Sequence, residues 1–270
     1  MTRIVHASDI HVGTVEDGRL AVLADEINAL SPDLTIISGD LTQWADRDEF
    51  VRAAHFRGLI DGPVLIVPGN HDIDPHNMYR RFFEPYKRYQ EHLSADLEPT
   101  CQTDTLSVLG LNSAIRWQAH WNWSHGRVTL DQVRRIAPFF EAATDDALKI
   151  LFLHHPVLRV AGVTATRPVR RAGLLLAAAA GAKVDLILTG HSHRFGVSSH
   201  LGAGNHALLV VAAGSAVSPR ERDGGNSLNL IVHEDQRLSI RQRVLTGSQF
   251  FDGALHVFEK GEKGGWYSAG

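Results

Sequence analysis

Cysteine is almost missing from this chain of 270 residues: Cys101 stands alone, so no intramolecular disulfide can form, and a reducing compartment is the setting that fits. An excess of one charge is missing too. Lys and Arg total 27 against 30 Asp and Glu, and a net charge of −3 offers no general field for duplex nucleic acid or anionic membrane. Long apolar runs are also absent. The longest, residues 172–182, is alanine-rich, interrupted by Gly173 and Gly181, and far short of the ~20 residues that span a bilayer. The opening Met1-Thr2-Arg3-Ile4-Val5-His6 leaves no room for the basic, apolar and cleavage regions of an export signal. A cytoplasmic protein is therefore expected, with no transmembrane segment, no duplex nucleic acid as partner, and peripheral membrane association or a homo-oligomer left open.

Histidine is what the chain has in excess, 16 residues where ordinary soluble proteins carry about 2%. Most of the excess falls in or near five short clusters. Asp9-Ile10-His11, Gly39-Asp40, Gly69-Asn70-His71-Asp72, His154-His155 and Gly190-His191-Ser192-His193 each follow an apolar run. Any one of these alone means little, since Asp and His beside strands are common. Five in one chain, all at the ends of buried segments, point to a two-metal hydrolytic site, because carboxylate, imidazole and carboxamide are donors that divalent metals accept.

The rest of the pattern explains how such distant clusters would meet. Strands are expected at residues 4–8, 34–38, 64–67, 106–111, 150–153 and 186–188, nearly all continuous apolar runs of the kind buried on both faces. Helices intervene: Leu20, Leu23, Ile27 and Leu30 share a 3.6-residue stripe, and Thr129-Leu130-Asp131-Gln132 is a capping box. Beyond residue 205 the segments 206–212, 228–233, 238–243 and 254–259 lack intervening helices and read as a second, largely antiparallel sheet. We expect an α/β protein with two sheets packed face to face and helices outside. The metal-binding α/β part (1–204) and the largely β part (205–270) would form one core, residues 1–270 making a single domain. In open α/β sheets ligands bind at the carboxyl edge, where Gly39, Gly69 and Gly190 let the chain turn and approach closely.

In this order the blocks resemble the calcineurin-like metallophosphoesterases, whose signature is DxH, GD, GNH followed by D or E, a later His after an apolar strand, and GHxH. The resemblance covers residues 4 to about 195. It implies a four-layer α/β/β/α sandwich of two mixed β-sheets and two divalent metal ions (manganese, iron or zinc). One ion would be held by Asp9, His11 and His193, the other by Asn70, His154 and His191, with Asp40 bridging and a metal-bound hydroxide as nucleophile. His71 would then be the catalytic residue that is not a ligand, stabilising or protonating the leaving oxygen. His155 should point away from the metals and support them. For Asp72, orienting His71 and capping a loop stand level, and His6 reads as a satisfied buried histidine.

Finer likeness is to the branch of class III cyclic-nucleotide phosphodiesterases and glycerophosphodiesterases. Leu111-Asn112-Ser113, Gly126-Arg127-Val128 and Gln132 resemble that branch's LDS…GxL…Q block, with Asn112 in place of the commoner Asp. The implied activity is hydrolysis of a small-molecule phosphodiester, a cyclic nucleotide first. A UDP-diacylglucosamine-type pyrophosphohydrolase or a glycerophosphodiesterase is the alternative, and a metal-free protein-binding scaffold a remote one. Residues 116–125 hold three of the five tryptophans; Trp121 and Trp123 are candidates to stack on a base, against the simpler reading that they pack the loop. Arg159, Arg167, Arg170 and Arg171 could hold a second phosphate or belong to a solvated loop and helix start.

Overall fold

The computed structural model describes residues 1–116, 124–159, 167–202, 206–218, 225–261 and 264–269. Three strands open it: β1 (Thr2–Ala7), β2 (Leu34–Ile37) and β3 (Val64–Ile66) pair in parallel. The next six, β4 (Thr100–Gln102), β5 (Leu106–Leu111), β6 (Leu148–Leu153), β7 (Leu186–Thr189), β8 (Gly196–Leu201) and β9 (Ala207–Ala212), build a second sheet in the order β4-β5-β6-β7-β9-β8. The last four, β10 (Asn226–Glu234), β11 (Arg237–Thr246), β12 (Gln249–Lys260) and β13 (Trp266–Ser268), return to the first sheet, with β10 antiparallel to β1.

Both sheets are mixed, and this corrects the expectation that the segments beyond residue 205 form a sheet of their own. Burial decides where each goes. Ala207–Ala212 is buried at every position, so β9 needs a neighbour on each side and sits inside the second sheet, parallel to β7. The half-exposed β11 and β12 keep solvent on one face and extend the first sheet as an antiparallel meander. The short or exposed strands β4, β8 and β13, which no apolar run marks, are all edge strands.

Among the described residues six helices cover the outer faces: α1 (Asp17–Ala29), α2 (Arg47–Gly58), α3 (Met78–Phe83), α4 (Lys87–His92), α5 (Leu130–Glu141) and α6 (Ala172–Gly181). Three apolar layers result, the mark of a four-layer sandwich. Leu20, Leu23 and Ile27 of α1 pack with Phe50 and Phe56 of α2 on the first sheet. Ile4, Ile36, Ile150, Leu188, Val211 and Ile240 fill the space between the sheets. Ile136, Phe140, Leu175 and Ala179 cover the second sheet, and each such fully buried Leu, Ile or Phe contributes about 1.5–3 kcal/mol. The capping box holds as expected, with Thr129 accepting from the Gln132 N–H at the start of α5. Among the described residues no helix is long and apolar enough to cross a membrane.

Candidate metal centre

Parallel strands β1, β2 and β3 of one sheet and β6 and β7 of the other end on the same side, and all seven expected metal ligands lie just past those ends. The backbone there leaves ordinary geometry at the ligands themselves. Asp9, His11, Asp40, His191 and His193 have φ of 54°, 51°, 54°, 65° and 55°, the left-handed region, which Asp, Asn and His tolerate better than other side chains. Each such residue costs on the order of 1–3 kcal/mol and persists because its surroundings hold it there. Two glycines allow the close approach. A Cβ at Gly69 would overlap the Asp40 carboxylate, and one at Gly190 would overlap Ser8 and lie 2.6 Å from Asp9 Oδ2.

The two carboxylates are treated alike. Asp9 Oδ2 accepts the His191 N–H at 2.9 Å, and Asp40 Oδ1 accepts the His71 N–H, also at 2.9 Å. The other oxygens, Asp9 Oδ1 and Asp40 Oδ2, are buried with no hydrogen-bond partner. Imidazole nitrogens face them instead. His154 Nε2 is 3.2 Å from Asp40 Oδ2, His193 Nε2 is 3.5 Å from Asp9 Oδ1, and His11 Nε2 is 3.9 and 4.0 Å from the two.

Which nitrogen carries the proton follows from the acceptors on the far side of each ring. His11 Nδ1–H donates to the Thr42 carbonyl at 3.1 Å and His154 Nδ1–H to the Ser38 carbonyl at 2.8 Å, since a carbonyl only accepts. His193 Nδ1 meets Ser215 Oγ at 2.5 Å. In the neutral rings of His11 and His154 the Nε2 lone pair is therefore turned toward a carboxylate lone pair, an arrangement that only a cation between them makes favourable. Asn70 Oδ1 and His191 Nδ1 join the group at 3.2 and 3.3 Å from His154 Nε2. Donors bound tetrahedrally at about 2.0–2.2 Å stand about 3.3–3.6 Å apart around one ion, close to several of these separations. Asp9, His11 and His193 gather as one donor group and Asp9, Asp40 and His154 as another, with Asn70 and His191 beside His154, so the residues present fit divalent metal.

Electrostatics agree with that donor chemistry. Burial pushes His11 and His191 down to about 4, keeping them neutral. Burial also opposes charge on His154, but the Asp40 carboxylate beside it overrides this and raises it to about 9. Asp40 itself is held well below the usual carboxylate range by His154 and His71 despite its burial. Without a metal, a proton on His154 is the counter-charge closest to hand.

The neighbouring residues divide. His71 Nδ1–H donates to the Gln43 carbonyl at 2.9 Å, leaving Nε2 of this half-buried ring available to a ligand. Asp72 does not touch the His71 ring: its oxygens accept from Thr42 N–H and Oγ1–H (2.9 Å each) and Gly69 N–H (2.8 Å), a loop brace, and burial followed by the charge of Asp40 raises it to about 6. His6 is satisfied as expected, between Ser38 Oγ (2.9 Å) and Asn229 Nδ2 (3.2 Å). Gln132 braces α5 against the Asn112 carbonyl rather than facing the centre. Arg171 donates to the Val128 carbonyl, and Arg170 pairs with Arg127 through the backbone. Trp121 and Trp123 lie outside the described residues.

Sequence reasoning missed Ser38, Thr42, Gln43 and Ser215. Three act through backbone carbonyls, which no residue type announces. Ser215 carried a readable signal, because it follows the apolar run of β9 and Gly214 in the same grammar as the ligands themselves.

A sandwich of two mixed sheets with two opposed carboxylates and four imidazoles at their shared carboxyl edge defines a metal-dependent phosphoesterase architecture. A profile of the calcineurin-like phosphoesterase family matches residues 2–195, and the chain belongs to that family. It is 28% identical over 172 residues to a probable glycerophosphodiester phosphodiesterase, GpdQ, of Arcobacter nitrofigilis, a match covering 58% of each chain. The chain thus spans little more than half of that curated relative. In fold it is similar to a dimetal phosphatase from Danio rerio (TM-score 0.67, 10% identity, 93% of this chain and 98% of that one). The purple acid phosphatase PPD1 of yellow lupin is alike in the same way (TM-score 0.67, 15% identity, 97% of this chain and 54% of that one).

Proposed function

We propose that this chain hydrolyses small-molecule phosphodiesters with two divalent ions held by Asp9, His11, His193, Asn70, His154 and His191 and shared through Asp40. The observation that carries the reading is the pair of buried, unpartnered carboxylate oxygens facing imidazole nitrogens. Bound there, the ions would supply positive charge to the phosphoryl oxygens and acidify water at neutral pH. The chain's own part is to hold seven donors in place and to move a proton. Protonated His71 would keep its Nδ1–H on the Gln43 carbonyl and present Nε2–H to the departing alkoxide. Among substrates, the likeness to a probable glycerophosphodiester phosphodiesterase favours glycerophosphodiesters. Cyclic nucleotides are the second reading, resting on the likeness of the LNS…GRV…Q block.

Manganese-loaded protein should rank glycerophosphodiesters or cyclic nucleotides above nucleoside diphosphate esters and phosphomonoesters by kcat/KM. Monoesters ranking first would overturn the phosphodiesterase reading. His71→Ala should keep both ions and lose about 100- to 10,000-fold on alkyl esters but little on nitrophenyl esters, whose leaving group needs no proton. Equal losses on both would remove the proton from His71.

A further inference from the structure

Three of the four candidate ligand imidazoles are oriented by a hydrogen bond at the nitrogen away from the centre: His11 by Thr42, His154 by Ser38 and His193 by Ser215. His191 is the exception. Its ring nitrogens have no such acceptor among the described residues, and its Nδ1 faces His154 Nε2. What its ring does have is a neighbouring plate, the imidazole of His155, with centroids 4.8 Å apart and planes tilted by 42°.

His155 is unusually well fixed for this. Its Nε2–H donates to the Ser124 carbonyl at 3.0 Å, so Nδ1 is unprotonated and accepts Ser113 Oγ–H at 2.8 Å. Its own N–H donates back to Ser113 Oγ at 3.2 Å. With both nitrogens engaged it has no lone pair to give a metal, although it stands within reach of His154 and His191. Behind it the backbone at Gly126 presses so closely that a Cβ there would overlap the ring. The plate cannot retreat, because Gly126 O in turn accepts from Arg170 N–H and Arg127 N–H donates to Ser113 O.

Resting on the two-metal reading above, we infer that His155 is a positioning residue that orients His191 by packing, doing for the second ion's ligand what carbonyl and hydroxyl acceptors do for the other three. The effect falls on one ion. Loss of an orienting partner typically weakens metal affinity about 10- to 100-fold, here at the Asn70, His154 and His191 position and not at Asp9, His11 and His193.

The test is manganese stoichiometry and affinity by calorimetry on purified protein, with melting temperature measured alongside. His155→Ala should bind one ion as wild type does and the other about 10- to 100-fold more weakly, with activity restored by excess manganese. His155→Phe should hold the second ion within a few-fold of wild type, since the plate remains, even though the bonds to Ser113 and Ser124 are lost and the melting temperature falls. Folded His155→Ala with both affinities unchanged, both ions weakened equally, or Phe as damaging to the second ion as Ala, would each overturn the inference. If His155→Ala does not fold, the Phe variant and Gly126→Ala, which displaces the ring from behind, decide it by the same titration. A wild-type protein that takes up no stoichiometric metal would instead sink the two-metal reading.

Discussion

Asp40→Asn separates the electrostatic need of the centre from its shape. In the metal-free protein Asp40 Oδ2 faces His154 Nε2 at 3.2 Å, and because that carboxylate raises His154 to about 9 the pair is a protonated imidazole against a carboxylate at neutral pH, with Asp9 in the same buried group. An asparagine keeps the oxygen that accepts the His71 N–H and can turn its NH₂ toward His154 Nε2, whose ring is already committed through Nδ1–H to Ser38. A neutral hydrogen bond of about 0.5–1.5 kcal/mol then replaces a charge-assisted one of about 1.5–3 kcal/mol, a net loss of about 1–1.5 kcal/mol. For a chain of this size about 2 °C accompanies each kcal/mol, so the metal-free variant should melt about 2–3 °C below metal-free wild type. Metal widens the gap. At a hundredfold excess over the dissociation constant each ion adds about 2.7 kcal/mol, so two raise wild type by about 10 °C. Lacking the shared carboxylate, the variant should gain at most a small part of that. The assay is a pair of thermal melts per protein, with chelator and with manganese. A variant that rises with manganese as far as wild type would refute the bridging role of Asp40, and one that melts above wild type under chelator would refute its charged pairing with His154.

Gly190→Ala keeps every ligand, yet its new methyl collides with Ser8 and Asp9, so it should cost about 1–3 kcal/mol and the ion at Asp9, His11 and His193. Two ions retained by elemental analysis with an unshifted melt would show that Asp9 does not hold one. His6 provides a pH signature away from the ligands: burial, opposed weakly by Asp9, lowers it from 6.5 to about 3. Because the unfolded chain binds the proton first, its contribution is complete above pH 6.5 and is lost progressively as pH falls toward 3, at up to about 1.4 kcal/mol per pH unit. Urea denaturation at pH 7 and pH 5 should therefore show wild type losing about 2 kcal/mol more than His6→Gln, and equal losses would mean that His6 is not buried uncharged.

The candidate ligands were legible as a group because the features that mark them are local. A buried strand ends, the chain turns, and a donor follows, so Asp9, Asp40, Asn70, His154 and His191 could be placed at one sheet edge without knowing the sheets. The sheets were harder. Whether residues 207–212 pair with β7 or with β10 depends on which neighbour buries both faces of Ala-Leu-Leu-Val-Val-Ala, a question about contacts far apart in the chain. The glycine argument was right about close approach but overlooked where the strained φ values fall, on the ligands more than on the glycines beside them. For Asp72 the sequence left loop capping and orienting His71 level, because the partner that decides between them, Thr42, lies thirty residues earlier.

The place of β1 between β2 and β10 has a consequence for the order of assembly during synthesis. A chain leaving the ribosome makes β1, α1 and β2 early, but the other side of β1 stays an open strand edge until residues 226–234 emerge, and β10 also delivers Asn229 to His6. Asp9 and His11 hang from the end of that half-paired strand, and His191, whose N–H fixes Asp9, arrives 182 residues after it. Such long-range closure is slow, and until β10 emerges this protein exposes a sticky edge on β1. Any ion held by Asp9 and His193 thus waits for a segment far along the chain, and a nascent chain stalled before β10 should be a better client for a chaperone than for a metal.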